Sequence, residues 1–220
     1  MKIASLLAGS LICLFGIACK NNCPPDEKIG AIELGQTTVS FIPEFYKNGA
    51  TIFFKNESGE TLELTLQEQI QQTDKLCVET ICTELEFDGK STCKYYDAAS
   101  HRFIYTNFDS SLLMDLLFSS EVAKANTEYF YDIMTLSMSS ADNHFAYGQH
   151  HTEQRYTVDS VIPPSGTNMM TFQESTDLVD TTFSAVYINE VDQIKTYYTA
   201  DVGLAGFDWD GTIWRFVRWE

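Results

Sequence analysis

Two stretches of this chain alternate apolar and polar residues with a period of two: Leu62-Glu63-Leu64-Thr65-Leu66-Gln67 and Thr83-Glu84-Leu85-Glu86-Phe87. Successive side chains of an extended strand point to opposite sides, so each stretch has one buried and one wetted face. Aromatic and β-branched residues concentrate at 51–55, 102–108, 133–138, 183–188, 194–199 and 212–219, a composition that predicts further strands. Between strands, Asn56-Glu57-Ser58-Gly59, Asp88-Gly89 and Asp210-Gly211 supply residues that tolerate the positive φ of tight hairpins. Such patterning confines the chain to an all-β fold, an antiparallel β-sandwich or partly open barrel built from hairpins, with little helix.

Residues 111–124 fit a short amphipathic helix or another strand. The strand is preferred through about Phe118, because Leu113-Met114-Asp115-Leu116-Leu117-Phe118-Ser119-Ser120 echoes Ile133-Met134-Thr135-Leu136-Ser137-Met138-Ser139-Ser140 as two hairpin arms would. Pro163-Pro164-Ser165-Gly166 marks a loop within one domain. The 15 Phe, 11 Tyr and 3 Trp suffice to fill the space between sheets, and an apolar ligand cavity is the functional alternative.

Lys2 precedes an uncharged run over residues 3–18 that stops at Cys19. The run is shorter than the ~20 apolar residues of a membrane-spanning helix and matches an export signal. Gly16, Ile17 and Ala18 resemble a lipobox, which makes Cys19 the acylated residue; Cys13 follows Ile12 and Cys23 follows Asn22, without that small neighbour. The expected organisation is a signal peptide at 1–18, a tether at 19–28 and one all-β domain at 29–220. An ordinary secretory signal cut near Ala18 is the alternative. Lys20 follows Cys19 where Asp would favour inner-membrane retention, so an outer-membrane anchor is expected.

With 14 basic and 31 acidic residues, the formal charge is -17, which disfavours nucleic acid and anionic lipid headgroups as partners. An exported chain can form disulfides, and Cys23, Cys77, Cys82 and Cys93 are the candidates. A bridge from Cys93 to Cys82 or Cys77 is favoured, because a turn at Asp88-Gly89 folds the flanks together. Disulfides outrank zinc, since the Cys77 to Cys82 spacing is looser than the paired ligands of a zinc ribbon.

Catalytic signals are sparse. His144, His150, His151 and Glu153 could supply imidazoles and a carboxylate to a metal or a hydrolase. Without a helical His-Glu-x-x-His pattern, they read instead as exposed loop histidines. Ser58-Gly59 and Ser165-Gly166 lack the context of a nucleophile elbow, and neither a phosphate loop nor a cofactor motif appears. Asp208-Trp209-Asp210-Gly211 reads as a turn rather than a calcium loop, because Thr212, Ile213 and Trp214 follow.

The Cys19 signal, residues 32–43, Thr51-Ile52-Phe53-Phe54-Lys55-Asn56 and the ending Tyr197-Tyr198-Thr199-Ala200-Asp201-Val202-Gly203-Leu204-Ala205-Gly206-Phe207 resemble uncharacterised Bacteroidota envelope lipoproteins. The resemblance covers both ends of the chain. It implies a strand-rich envelope lipoprotein and carries no activity or catalytic residue. Asp159-Ser160-Val161 and Asp180-Thr181-Thr182 resemble the O-glycosylation sites of exported Bacteroidota proteins, which makes Ser160 and Thr181 candidates. The expected function is that of a non-catalytic lipoprotein that binds a glycan, an apolar molecule or another envelope protein. The rivals are an enzyme using the His144 to Glu153 region and a purely structural surface component.

Overall fold

A computed structural model describes residues 23–83, 91–123, 130–141, 144–155, 168–191, 194–209 and 211–220. Its elements are β1 (Glu27–Ile32), α1 (Gln36–Ser40), α2 (Glu44–Lys47), β2 (Ile52–Asn56), β3 (Thr61–Thr83), β4 (Ser91–Thr106), β5 (Leu112–Val122) and β6 (Phe130–Ser140). They continue with β7 (Phe145–Arg155), β8 (Thr171–Leu178), β9 (Thr181–Val191), β10 (Ile194–Thr199), β11 (Gly203–Trp209) and β12 (Thr212–Trp219). Strand order is β7-β6-β5-β4-β3-β2-β12-β11-β10-β9-β8, and β1 lies parallel to β4. The fold is all-β: a strongly curled antiparallel sheet forms a half-barrel. Its two ends approach each other, since Gln149 of β7 bridges Met169 just before β8 and its carbonyl accepts from Met170 N at 2.7 Å.

Period-two burial builds the concave wall. Leu112, Met114, Leu116 and Phe118 are buried along β5 while their neighbours are half-buried. Met114, Leu116 and Phe118 stand opposite Met138, Leu136 and Met134, so the echoing segments are the arms of one hairpin. The strand continues beyond Phe118 to Val122.

Residues 33–50 fill the concavity. Phe41, Ile42, Phe45 and Tyr46 join one core with Phe103, Tyr105, Leu116, Tyr198 and Leu204 from both arms of the curled sheet. The Tyr198 hydroxyl donates to the Phe41 carbonyl, and Leu204 N donates to Tyr46 Oη at 2.9 Å. Gly203, at φ 67, lets the backbone pass that ring; a Cβ there would lie 2.4 Å from Tyr46 Oη. Gly35 precedes α1 without a side chain to cap it. Carboxylates from the sheet serve instead. Asp132 Oδ2 accepts from Gly35 N at 2.7 Å and Thr38 Oγ1 at 2.9 Å, and Glu153 Oε2 accepts from Thr37 N at 2.9 Å. Asp132 Oδ1 accepts from Ser120 Oγ at 2.6 Å, and Thr38 Oγ1 lies 2.7 Å from Thr152 Oγ1.

β3 and β4 outrun their neighbours. β2 pairs with β3 only at Thr61–Leu64 and β5 with β4 only at His101–Thr106, whereas β3 and β4 pair from Thr65↔Thr106 to Thr83↔Ser91. The excess forms an arm flanked by β1, which runs from Glu27↔Lys94 to Ile32↔Ala98. Disulfides join Cys77 to Cys93 and Cys23 to Cys82. The first is one of the two pairings favoured above. The second corrects the tether reading, since the chain is already fixed to the arm at Cys23, and Glu27 and Lys28 belong to β1. The turn at Asp88-Gly89, most of the alternating stretch 83–87 and the loop at 163–166 lie outside the described residues.

Near the other end of the sheet, Ala185 takes a positive φ of 52° within β9. Leu178 joins a second, smaller core with Val186, Ile188, Tyr197 and Ala205. Asp180 in the β8–β9 turn forms an ion pair with Arg215 of β12.

Candidate functional site

The rim of the half-barrel holds an open groove of about 460 Å³, bounded by Thr61, Leu62, Glu63, Asn107, Phe108, Asp109 and Trp214. It lies where β3 begins, β4 ends and β12 begins. Side-chain hydrogen bonds fix the β4–β5 turn. Asn107 Oδ1 accepts from Leu112 N at 2.8 Å, its Nδ2 donates to Ser111 Oγ at 2.9 Å, and Asp109 Oδ1 accepts from Ser111 N at 3.0 Å. Ser110 takes a positive φ of 57° to close the turn. Phe108 is thereby left with its ring wholly in solvent, at 105% relative exposure. Across the groove, the half-buried Trp214 stacks on the core residue Phe207 at 6.3 Å, while Leu62 packs partly against the same core.

The groove pairs two aromatic rings and Leu62 with polar groups of Thr61, Asn107, Glu63 and Asp109, and among the described residues no basic side chain lines it. The hydrogen bond from the Ser111 hydroxyl, followed by that from its amide, holds the Asp109 carboxyl below its usual range. The lining suits a ligand with hydroxyl groups and a flat apolar face, uncharged or cationic, and repels anions.

The His144 to Glu153 cluster is not assembled as a site. Residues 145–155 form strand β7, which corrects the loop expected there, and alternate side chains leave on opposite faces. His150 is packed between Phe41 and Tyr187, at 5.4 and 4.0 Å between ring centroids, and burial lowers its pKa to about 4. His151 lies against Tyr131 at 4.4 Å, its pKa also lowered by burial, while His144 meets Trp209 edge-on at 6.1 Å. Glu153 caps α1. The histidines are therefore partly buried packing residues, not exposed ones. Among the described residues no group of three or more His, Cys, Asp or Glu is placed to hold a metal ion.

The other candidates are scattered. Thr181, half-buried, begins β9 and donates to Asp180 at 3.2 Å. Cys19 and Ser160 lie outside the described residues. No helix among those residues is long and apolar enough to cross a membrane. The composition of 102–108 places Phe108 at the end of a strand, but β4 stops at Thr106. Its signal was present: a large ring amid Asn107, Asp109, Ser110 and Ser111 sits in turn chemistry, which gives it little to pack against. No protein-family model matches the chain, and neither does any curated protein or solved structure.

Proposed function

We propose that this protein is a non-catalytic cell-envelope lipoprotein, anchored through Cys19, that binds an uncharged glycan in the rim groove. The observation that carries this reading is the fully solvated Phe108 ring, held by a hydrogen-bonded turn across the groove from Trp214. An aromatic face packs on the C–H surface of a sugar, and Thr61, Asn107 and the two carboxylates can bond its hydroxyls. Residues 33–50 occupy the concave side of the sheet, which favours a ligand at the rim over an apolar molecule inside.

The test is a titration with neutral oligosaccharides, read by tryptophan fluorescence and calorimetry. Binding is expected to perturb Trp214, and Phe108→Ala is expected to weaken it at least about tenfold, or 1.4 kcal/mol. Affinity unchanged in Phe108→Ala, or no binding across a broad neutral panel, would overturn the reading.

A further inference from the structure

The rim groove and the point where the N-terminal segment is fixed occupy opposite ends of one hairpin. Leu62 stands at the start of β3 and Cys82 next to its last residue, separated by about 65 Å of strand. Cys23 is bonded to Cys82, and the four residues from Cys23 back to Cys19 reach at most about 14 Å. We propose that the β3–β4 arm is a stapled spacer that stands on the membrane and holds the rim groove away from it. The groove's ligand is then a hydrated molecule beyond the headgroups, not a lipid of the bilayer that carries the protein. This rests on acylation of Cys19, but not on the ligand being a glycan.

Three observations support a standing arm. First, it is stiffened along its length: β1 adds a third strand, two disulfides tie it, and ion pairs Lys75–Asp26, Lys28–Asp97 and Lys94–Glu79 link its strands. Second, the described residues of the arm offer little apolar surface to lay on a bilayer. Of the large hydrophobic residues exposed among the described residues, Ile29 alone belongs to the arm, whereas Phe108, Phe145, Phe172, Val217 and Trp219 belong to the half-barrel. Third, a formal charge of -17 works against contact between the protein and an anionic leaflet.

The chain carries its own reporters. Its three tryptophans, Trp209, Trp214 and Trp219, all lie in β11 and β12. Trp219 is opposite Ile52, which is opposite Leu64, and Leu64 lies about 60 Å of strand from Cys82. The full lipidated protein would be placed in vesicles of phosphatidylethanolamine and phosphatidylglycerol carrying a dansyl headgroup acceptor. Tryptophan emission is expected to match that in acceptor-free vesicles. Neutron reflectivity on a supported bilayer of the same lipids should show thin protein density at the headgroups and the bulk further out. Strong transfer to dansyl, bulk density against the headgroups, or failure of the protein to co-float with vesicles would each overturn the proposal. Unquenched tryptophan in a protein that binds no oligosaccharide would remove the glycan reading and leave the spacer intact.

Discussion

Replacing Asp132 tests whether the segment inside the half-barrel is held by a few buried hydrogen bonds or by apolar packing alone. The carboxyl is wholly buried and accepts from Gly35 N, Thr38 Oγ1 and Ser120 Oγ. Asp132→Ala strands the Gly35 amide and the Ser120 hydroxyl, at about 1–3 kcal/mol each, while Thr38 retains Thr152 as a partner. The expected loss is about 4 kcal/mol, or about 12 °C in Tm for a domain of this size. Asp132→Asn keeps the shape. Its amide oxygen can still accept from Gly35 and Thr38, and its nitrogen can donate to Ser120, so the loss should be only about 1–2 kcal/mol. Urea unfolding followed by tryptophan fluorescence, with the disulfides intact, measures both. Trypsin cleavage after Lys47 reports separately on release of the segment. Asp132→Ala within about 1 kcal/mol of the parent, or Asp132→Asn as damaging as Asp132→Ala, would refute the hydrogen-bond account.

Gly203→Ala puts a Cβ 2.4 Å from Tyr46 Oη at a φ of 67°, so a loss of about 2–4 kcal/mol is expected in the same unfolding assay; an unchanged midpoint would contradict the packing. Burial lowers His150 from 6.5 to about 4, so the unfolded chain takes up a proton that the folded chain refuses. Its contribution is complete above pH 6.5 and is lost as pH falls towards 4, with His101 and His151 acting in the same direction. An NMR titration should place its midpoint near 4, and a midpoint at 6 or above would exclude the packed ring. Non-reducing peptide mapping should recover Cys23–Cys82 and Cys77–Cys93, and Cys77→Ser with Cys93→Ser should cost about 3 kcal/mol.

The sheet was legible because its signals are local. Alternation at residues 62–67 and β-branched runs at 194–199 and 212–219 mark strands without reference to distant residues, and β10 and β12 occupy those last two spans. The segment 33–50 was not legible, since α1 lacks a capping side chain and obtains its caps from Asp132 and Glu153, far along the chain. The histidines mislead for the opposite reason. His150 and His151 are neighbours whose side chains leave the strand on opposite faces, and His144, just before the strand, is about 20 Å of extended chain from His150, so proximity in sequence does not make a site. The rim groove joins the starts of β3 and β12 to the end of β4, and no local pattern announces that meeting.

The two disulfides of the arm interlock in sequence: the first cysteine of the described four pairs with the third, and the second with the fourth. Oxidation in the order in which cysteines emerge from an export channel would join Cys23 to Cys77 and Cys82 to Cys93, both wrong. Reaching the native pair then requires thiolate attack on a formed disulfide, a step of seconds to hours that depends on oxidant and isomerase. Under the export proposed above, formation of the native pairs is thus tied to disulfide shuffling. Oxidation without reshuffling would leave chains that had formed those first pairs without the two bridges of the arm.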